Sequence, residues 1–91
     1  MGSSLSVLVI DDDVNVCDYL EELLTPEGCT VAAEQDADSA LTRLKAKETF
    51  HILILDLRMP DASGLDVLAK IRKIDKDIAV IILTAYPSLE S

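Results

Sequence analysis

Apolar runs too short for core helices alternate along this chain with stretches whose apolar residues recur at helical spacing. The runs are "LSVLVI", "CTVAAE", "HILILD" and "DIAVIILTA". The first and third are apolar almost throughout and stop at acid, the pattern of strands buried on both faces. "CTVAAE" is a weaker strand, with small residues where the first has bulky ones. Between the runs, Val16, Leu20, Leu23 and Leu24 mark a first helix, with Asp13 placed as its N-cap. Asp36 caps a second, with Ala37, Ala40, Leu41 and Leu44 inward and Arg43, Lys45 and Lys47 outward. Val67, Leu68, Ile71 and Ile74 make a third stripe, and Lys70, Arg72 and Lys73 near its end suit the helix dipole. "TPEG" ends the first helix, "LRMPDASG" is a loop punctuated by Pro60 and Gly64, and "YPSLES" reads as the first turn of a fourth helix. The order β-α-β-α-β-α-β predicts a parallel sheet with right-handed crossovers and helices on both faces.

A length of 91 residues fits one domain, spanning 1–91. Hydrophobic residues make up 49% and aromatics only 3%, so the core must be aliphatic. The net charge of −9 argues against nucleic acid or an anionic membrane as a direct partner and favours a cation or a basic protein surface. Cys17 and Cys29 form no CxxC pair and read as small apolar residues in a reducing, cytoplasmic setting. "MGSSLS" does not read as a signal peptide, and no apolar stretch approaches the roughly 20 residues of a membrane-spanning helix.

The stretch "VLVIDDDVN" sets Asp11, Asp12 and Asp13 side by side at the end of a buried strand. Like charges at such spacing repel, and burial sharpens the cost. In open parallel sheets, ligands bind outside the carboxyl ends of the strands. The first strand ends in Asp11 and Asp12, the third in Asp56 and the fourth in Thr84. If those strands are neighbours, the side chains converge on one crevice. Clustered carboxylates there suit a hard dication such as Mg²⁺, which takes oxygen ligands and keeps waters or phosphate oxygens in its remaining positions. Asp13 reads as a helix cap, His51 as structural at the opposite end of the sheet, and Cys17 as no nucleophile.

The blocks "VLVIDDDVNVCDYLEELL", "ILILDLRMPDASGLDVLAKIR" and "VIILTAY" resemble the receiver domain of two-component response regulators, in order and spacing over nearly the whole chain. The flavour is similar to receivers that precede a sigma-54-type ATPase and a DNA-binding domain in transcription regulators. The resemblance implies a flavodoxin-like doubly wound parallel sheet, ordered 2-1-3-4 here, with the family's fifth strand and helix missing. It implies a phosphoacceptor, not an enzyme in the ordinary sense, that takes a phosphoryl group from a sensor histidine kinase onto Asp56 in a Mg²⁺-dependent reaction. Asp11, Asp12, Asp56 and the backbone carbonyl of Arg58 would hold the metal. Thr84 would be the switch hydroxyl, Ala85 would leave the phosphoryl group accessible, Tyr86 would tune the chemistry, and Met59, Pro60 and Gly64 would shape the loop. The family's fifth strand carries a lysine that no residue here matches, since Lys70, Lys73 and Lys76 fall in or just after the third helix.

Two rivals stand beside this. Asp11-x-Asp13-Val14 resembles the nucleophile motif of haloacid-dehalogenase-type phosphatases, with Asp11 as nucleophile and Asp13 as acid/base. The missing lysine fits a receiver-like interaction module that cannot be phosphorylated. The last strand, with no neighbour on its far side, also predicts a homodimer or an element-swapped oligomer.

Overall fold

The computed structural model describes residues 5–58 and 63–83. Strands β1 (Leu5–Ile10), β2 (Cys29–Glu34), β3 (Ile52–Asp56) and β4 (Ala79–Leu83) alternate with helices α1 (Val14–Leu24), α2 (Ala37–Lys45) and α3 (Gly64–Ile74). All strand pairs are parallel and the order is β2-β1-β3-β4. The α/β doubly wound sheet expected from the sequence is therefore present.

The central strands divide their side chains between two cores. Leu8 and Ile10 of β1, with Leu53 and Leu55 of β3, face α2 and α3 and pack with Leu41, Leu44, Val67 and Ile71. Val7, Val9 and Ile54 point the other way, towards Cys17, Leu20 and Leu24 of α1. The period of two along each strand is what sends neighbours to opposite faces. This double burial explains why "VLVI" and "ILIL" carry no polar residue.

The helix ends follow local chemistry. The Asp13 carboxylate accepts from the Asn15 amide (2.9 Å) and caps α1, and Asp36 accepts from the Ser39 amide (2.7 Å) and caps α2. Ser63 caps α3. After α1, a short 3₁₀ turn (Thr25–Glu27) closes on Gly28 at φ 90°, the left-handed region that glycine enters without steric penalty. At the opposite end of the sheet, His51 Nδ1 accepts from the Ser6 amide (2.9 Å) and ties the start of β1 to the residue before β3.

Three details differ from the periodicity. Leu23 is exposed because the buried stripe of α1 runs through Cys17, Leu20 and Leu24, and Leu23 falls about 100° away around the helix. Ile74, the last residue of α3, is also exposed. Lys47 lies beyond α2 rather than on it, with a left-handed φ of 72°. Among the described residues β4 is an edge strand, with Ile81 and Ile82 exposed.

Candidate functional site

Register fixes where the carboxylates meet. Ile10 of β1 pairs with Leu55 of β3, so Asp11 and Asp12 leave β1 beside Asp56, the last residue of β3. Asp56 in turn pairs with Leu83 of β4, and the Leu57 amide donates to the Leu83 carbonyl (3.3 Å). Carboxylate oxygens of Asp11, Asp12 and Asp56 lie within 4.8 Å of one another. They open into a cleft of about 380 Å³ whose walls include Val16, Arg58 and Leu83.

The three acids differ in setting. Asp11 and Asp56 are buried, with 5% and 6% exposure, whereas Asp12 is exposed. Asp11 Oδ1 accepts from the Asp13 amide (2.9 Å) and Asp56 Oδ1 accepts from the Arg58 amide (2.9 Å). Each bond turns the chain just past its strand and aims the carboxylate back into the cleft. Burial pushes the Asp11 carboxyl above its ordinary range; the Asp13 amide opposes this, and the charges of Asp56, Asp12 and Asp13 reinforce it.

Convergent carboxylates, two of them buried and, among the described residues, hydrogen-bonded to backbone amides rather than to cations, are the donor set a hard dication takes. At an effective dielectric of about 20, two unit charges roughly 4.8 Å apart repel by about 3 kcal/mol. A divalent cation converts that cost into coordination, so the residues present fit Mg²⁺. Asp13 stands apart, since its carboxylate is engaged at the α1 N-terminus.

Residues without an obvious sequence signal back the site. The Cys17 thiol reaches the Asp11 carbonyl (3.5 Å) and accepts from Gln35 Nε2 (3.5 Å). Burial, then nearby carboxylates, push that thiol up, so it stays protonated and inert, which fits the apolar role read for it. Gly64, the first residue of α3, packs closely against Leu57. A Cβ there would sit 2.5 Å from Leu57 Cδ2 and 2.8 Å from Leu57 Cα, directly after Asp56. Gly64→Ala should therefore displace Leu57 and cost about 1–3 kcal/mol, the usual scale of overpacking. A chemical-denaturation curve matching wild type would show that the α3 N-terminus yields freely. Met59, Pro60, Thr84, Ala85 and Tyr86 lie outside the described residues.

The sequence profile of the response regulator receiver domain matches residues 7–91. The chain belongs to that family. It is 33% identical over 90 residues to the transcriptional regulatory protein ZraR of Klebsiella oxytoca, covering 99% of this chain and 20% of that protein. The chain thus spans about a fifth of the length of the curated relatives it matches. Among solved structures, the response regulator TrrA of Thermotoga maritima, in complex with Mg²⁺ and BeF, is 37% identical with a TM-score of 0.81. That match covers 91% of this chain and 71% of TrrA. TrrA in complex with the histidine kinase ThkA matches at 37% identity and a TM-score of 0.82, over 96% of this chain and 74% of the other. The receiver fold and the family read from the sequence are both present. Among the described residues no helix is long and apolar enough to cross a membrane.

Proposed function

We propose that this receiver accepts a phosphoryl group on Asp56 from a sensor histidine kinase in the cytoplasm and uses the resulting change in charge to control an output domain or partner. The observation that carries this is the meeting of buried Asp11 and Asp56 with Asp12 at the carboxyl ends of β1 and β3. Its support from relatives is the Mg²⁺–BeF complex of TrrA and the TrrA–ThkA complex.

The chemistry follows from the arrangement. The Arg58 amide holds Asp56 Oδ1, and Asp56 lines the cleft, so its second carboxylate oxygen would be the nucleophile. That oxygen forms a bond to phosphorus as the donor's phosphorus–nitrogen bond breaks, and the electron pair returns to the donor imidazole. The product is a mixed anhydride that water can cleave. Asp12 and Asp11, with Asp56 and the Arg58 carbonyl, would hold Mg²⁺, which when bound supplies the positive charge that offsets the incoming phosphoryl oxygens. Thr84 would bind a phosphoryl oxygen as switch, beside a small Ala85 and with Tyr86 tuning access.

The phosphatase alternative fits less well. Asp13, its acid/base, is committed to capping α1. A small phosphodonor with Mg²⁺ is expected to place one acid-labile, hydroxylamine-sensitive phosphate on Asp56, and Asp56→Asn to abolish it while the circular dichroism spectrum is unchanged. Labelling that persists in Asp56→Asn, mapped to Asp11, would favour the phosphatase. No labelling of the wild type would favour the interaction module.

A further inference from the structure

The chain is acidic overall, yet four of its eight cationic residues crowd one groove. Lys45, Lys47, Lys70 and Lys73 rim adjoining hollows between the C-terminal halves of α2 and α3, over an apolar floor of Leu44 and the exposed Ile74. None of the four lysines is in an ion pair among the described residues; both salt bridges there belong to Arg43, with Glu34 and Glu48. The two acids beside the groove are already engaged. Glu48 is held by Arg43, and the Asp75 carboxylate accepts from the Asp77 amide (2.9 Å). The groove is a positively charged, half-apolar surface.

Helix α1 presents the complement. α2 and α3 end in cations, which suits the negative pole of a helix, but α1 has no basic residue in its last turn and carries Glu21 and Glu22 there. Carboxylates at that pole are locally unfavourable. With Asp18 they line a hollow on the outer face of α1, and Tyr19 and Leu23 beside it are exposed at 62% and 51%. This acidic, half-apolar ridge cannot reach the lysine groove of its own molecule. α1 packs on one face of the sheet, and α2 and α3 pack on the other.

We infer that the acidic ridge of α1 in one copy seats in the lysine groove between α2 and α3 of a second copy. The contact is heterologous and head-to-tail, with carboxylates meeting ammonium groups around an apolar centre of Leu23 and Ile74. The acid residues used lie in the part of α1 remote from its N-terminus, and the groove lies at the C-terminal ends of α2 and α3. Both are away from the Asp56 cleft, which stays open in the assembly.

Analytical ultracentrifugation of the 91-residue chain in chelator tests this, without Mg²⁺ to bridge carboxylates. At tens of micromolar, roughly ten times a micromolar dissociation constant, the sedimentation coefficient should rise with concentration in dilute salt. It should fall back towards monomer near 1 M salt, where the screening length is about 3 Å. Lys70→Glu/Lys73→Glu and Glu21→Lys/Glu22→Lys should each be monomeric alone, and their equimolar mixture should associate again. Rescue by mixing separates the proposal from pairing through β4, which is apolar and backbone-mediated. Association that persists in both variants, or that strengthens with salt, would assign the contact to β4 and overturn the inference. So would a wild type that stays monomeric in dilute salt.

Discussion

Cutting Leu8 back to alanine is expected to cost about 2–5 kcal/mol, the range for a fully buried leucine. Leu8 has no exposed surface and lies on central strand β1, packed beneath α2 and α3. A domain of this size carries roughly 5–14 kcal/mol in total, so the variant loses a large share of its stability. The midpoint of thermal unfolding should drop by about 10 °C or more, at 4–8 °C per kcal/mol for a small domain. Leu23→Ala is the control. It removes the same atoms from an exposed site on α1, and near 1 M salt, where the contact between copies proposed above is screened, its effect on stability should stay within about 0.5 kcal/mol. Equal losses in the two variants would contradict the burial pattern of α1.

That contrast also shows how far the sequence was legible. The strands were readable because burial on both faces leaves no polar residue in "VLVI" or "ILIL". The caps Asp13 and Asp36 were readable because the chemistry of a helix N-terminus is local. Leu23 was not, since its spacing fits a wide stripe, and only the width of the sheet face that α1 covers decides how much of that stripe is buried. The left-handed turn at Lys47 is equally silent, because nothing about a lysine announces a positive φ.

The site was legible in part for the same reason. Strand ends in a parallel sheet converge wherever their strands are neighbours, so Asp11, Asp12 and Asp56 follow from topology once β1 is placed beside β3. The steric role of Gly64 against Leu57 was not legible, since a glycine after a loop looks like any turn residue. Nor was the backing of Asp11 by Cys17 and Gln35, which joins residues 18 positions apart.

Neutralising Asp11 should invert the usual effect of damaging a buried polar site. Asp11→Asn keeps the shape of the side chain and an oxygen for the Asp13 amide but removes one of three charges held within 4.8 Å. Burial, helped by the charges of Asp56, Asp12 and Asp13, holds the folded pKa of Asp11 above its ordinary value. A carboxyl raised in this way binds its proton more tightly in the folded state. Its charge therefore destabilises the fold fully above the folded pKa, and that penalty fades as pH falls towards the ordinary value. In chelator near neutral pH, Asp11→Asn should thus be more stable than wild type by about 1–3 kcal/mol, the order of one like-charge contact at intermediate dielectric. Mg²⁺ should reverse the ranking. Millimolar Mg²⁺ raises the unfolding temperature of wild type by linkage, because the ion binds the folded site only. Asp11→Asn, short of one ligand charge, should respond weakly. Acid should erase both differences together, since the proton taken up by Asp11 competes with the cation for the same oxygens. Thermal unfolding with and without Mg²⁺, at neutral and acidic pH, measures all of this. If Asp11→Asn melted below wild type in chelator, the carboxylates would not be repelling one another as their spacing implies, and the cation would not be what this cluster of acids is built to hold.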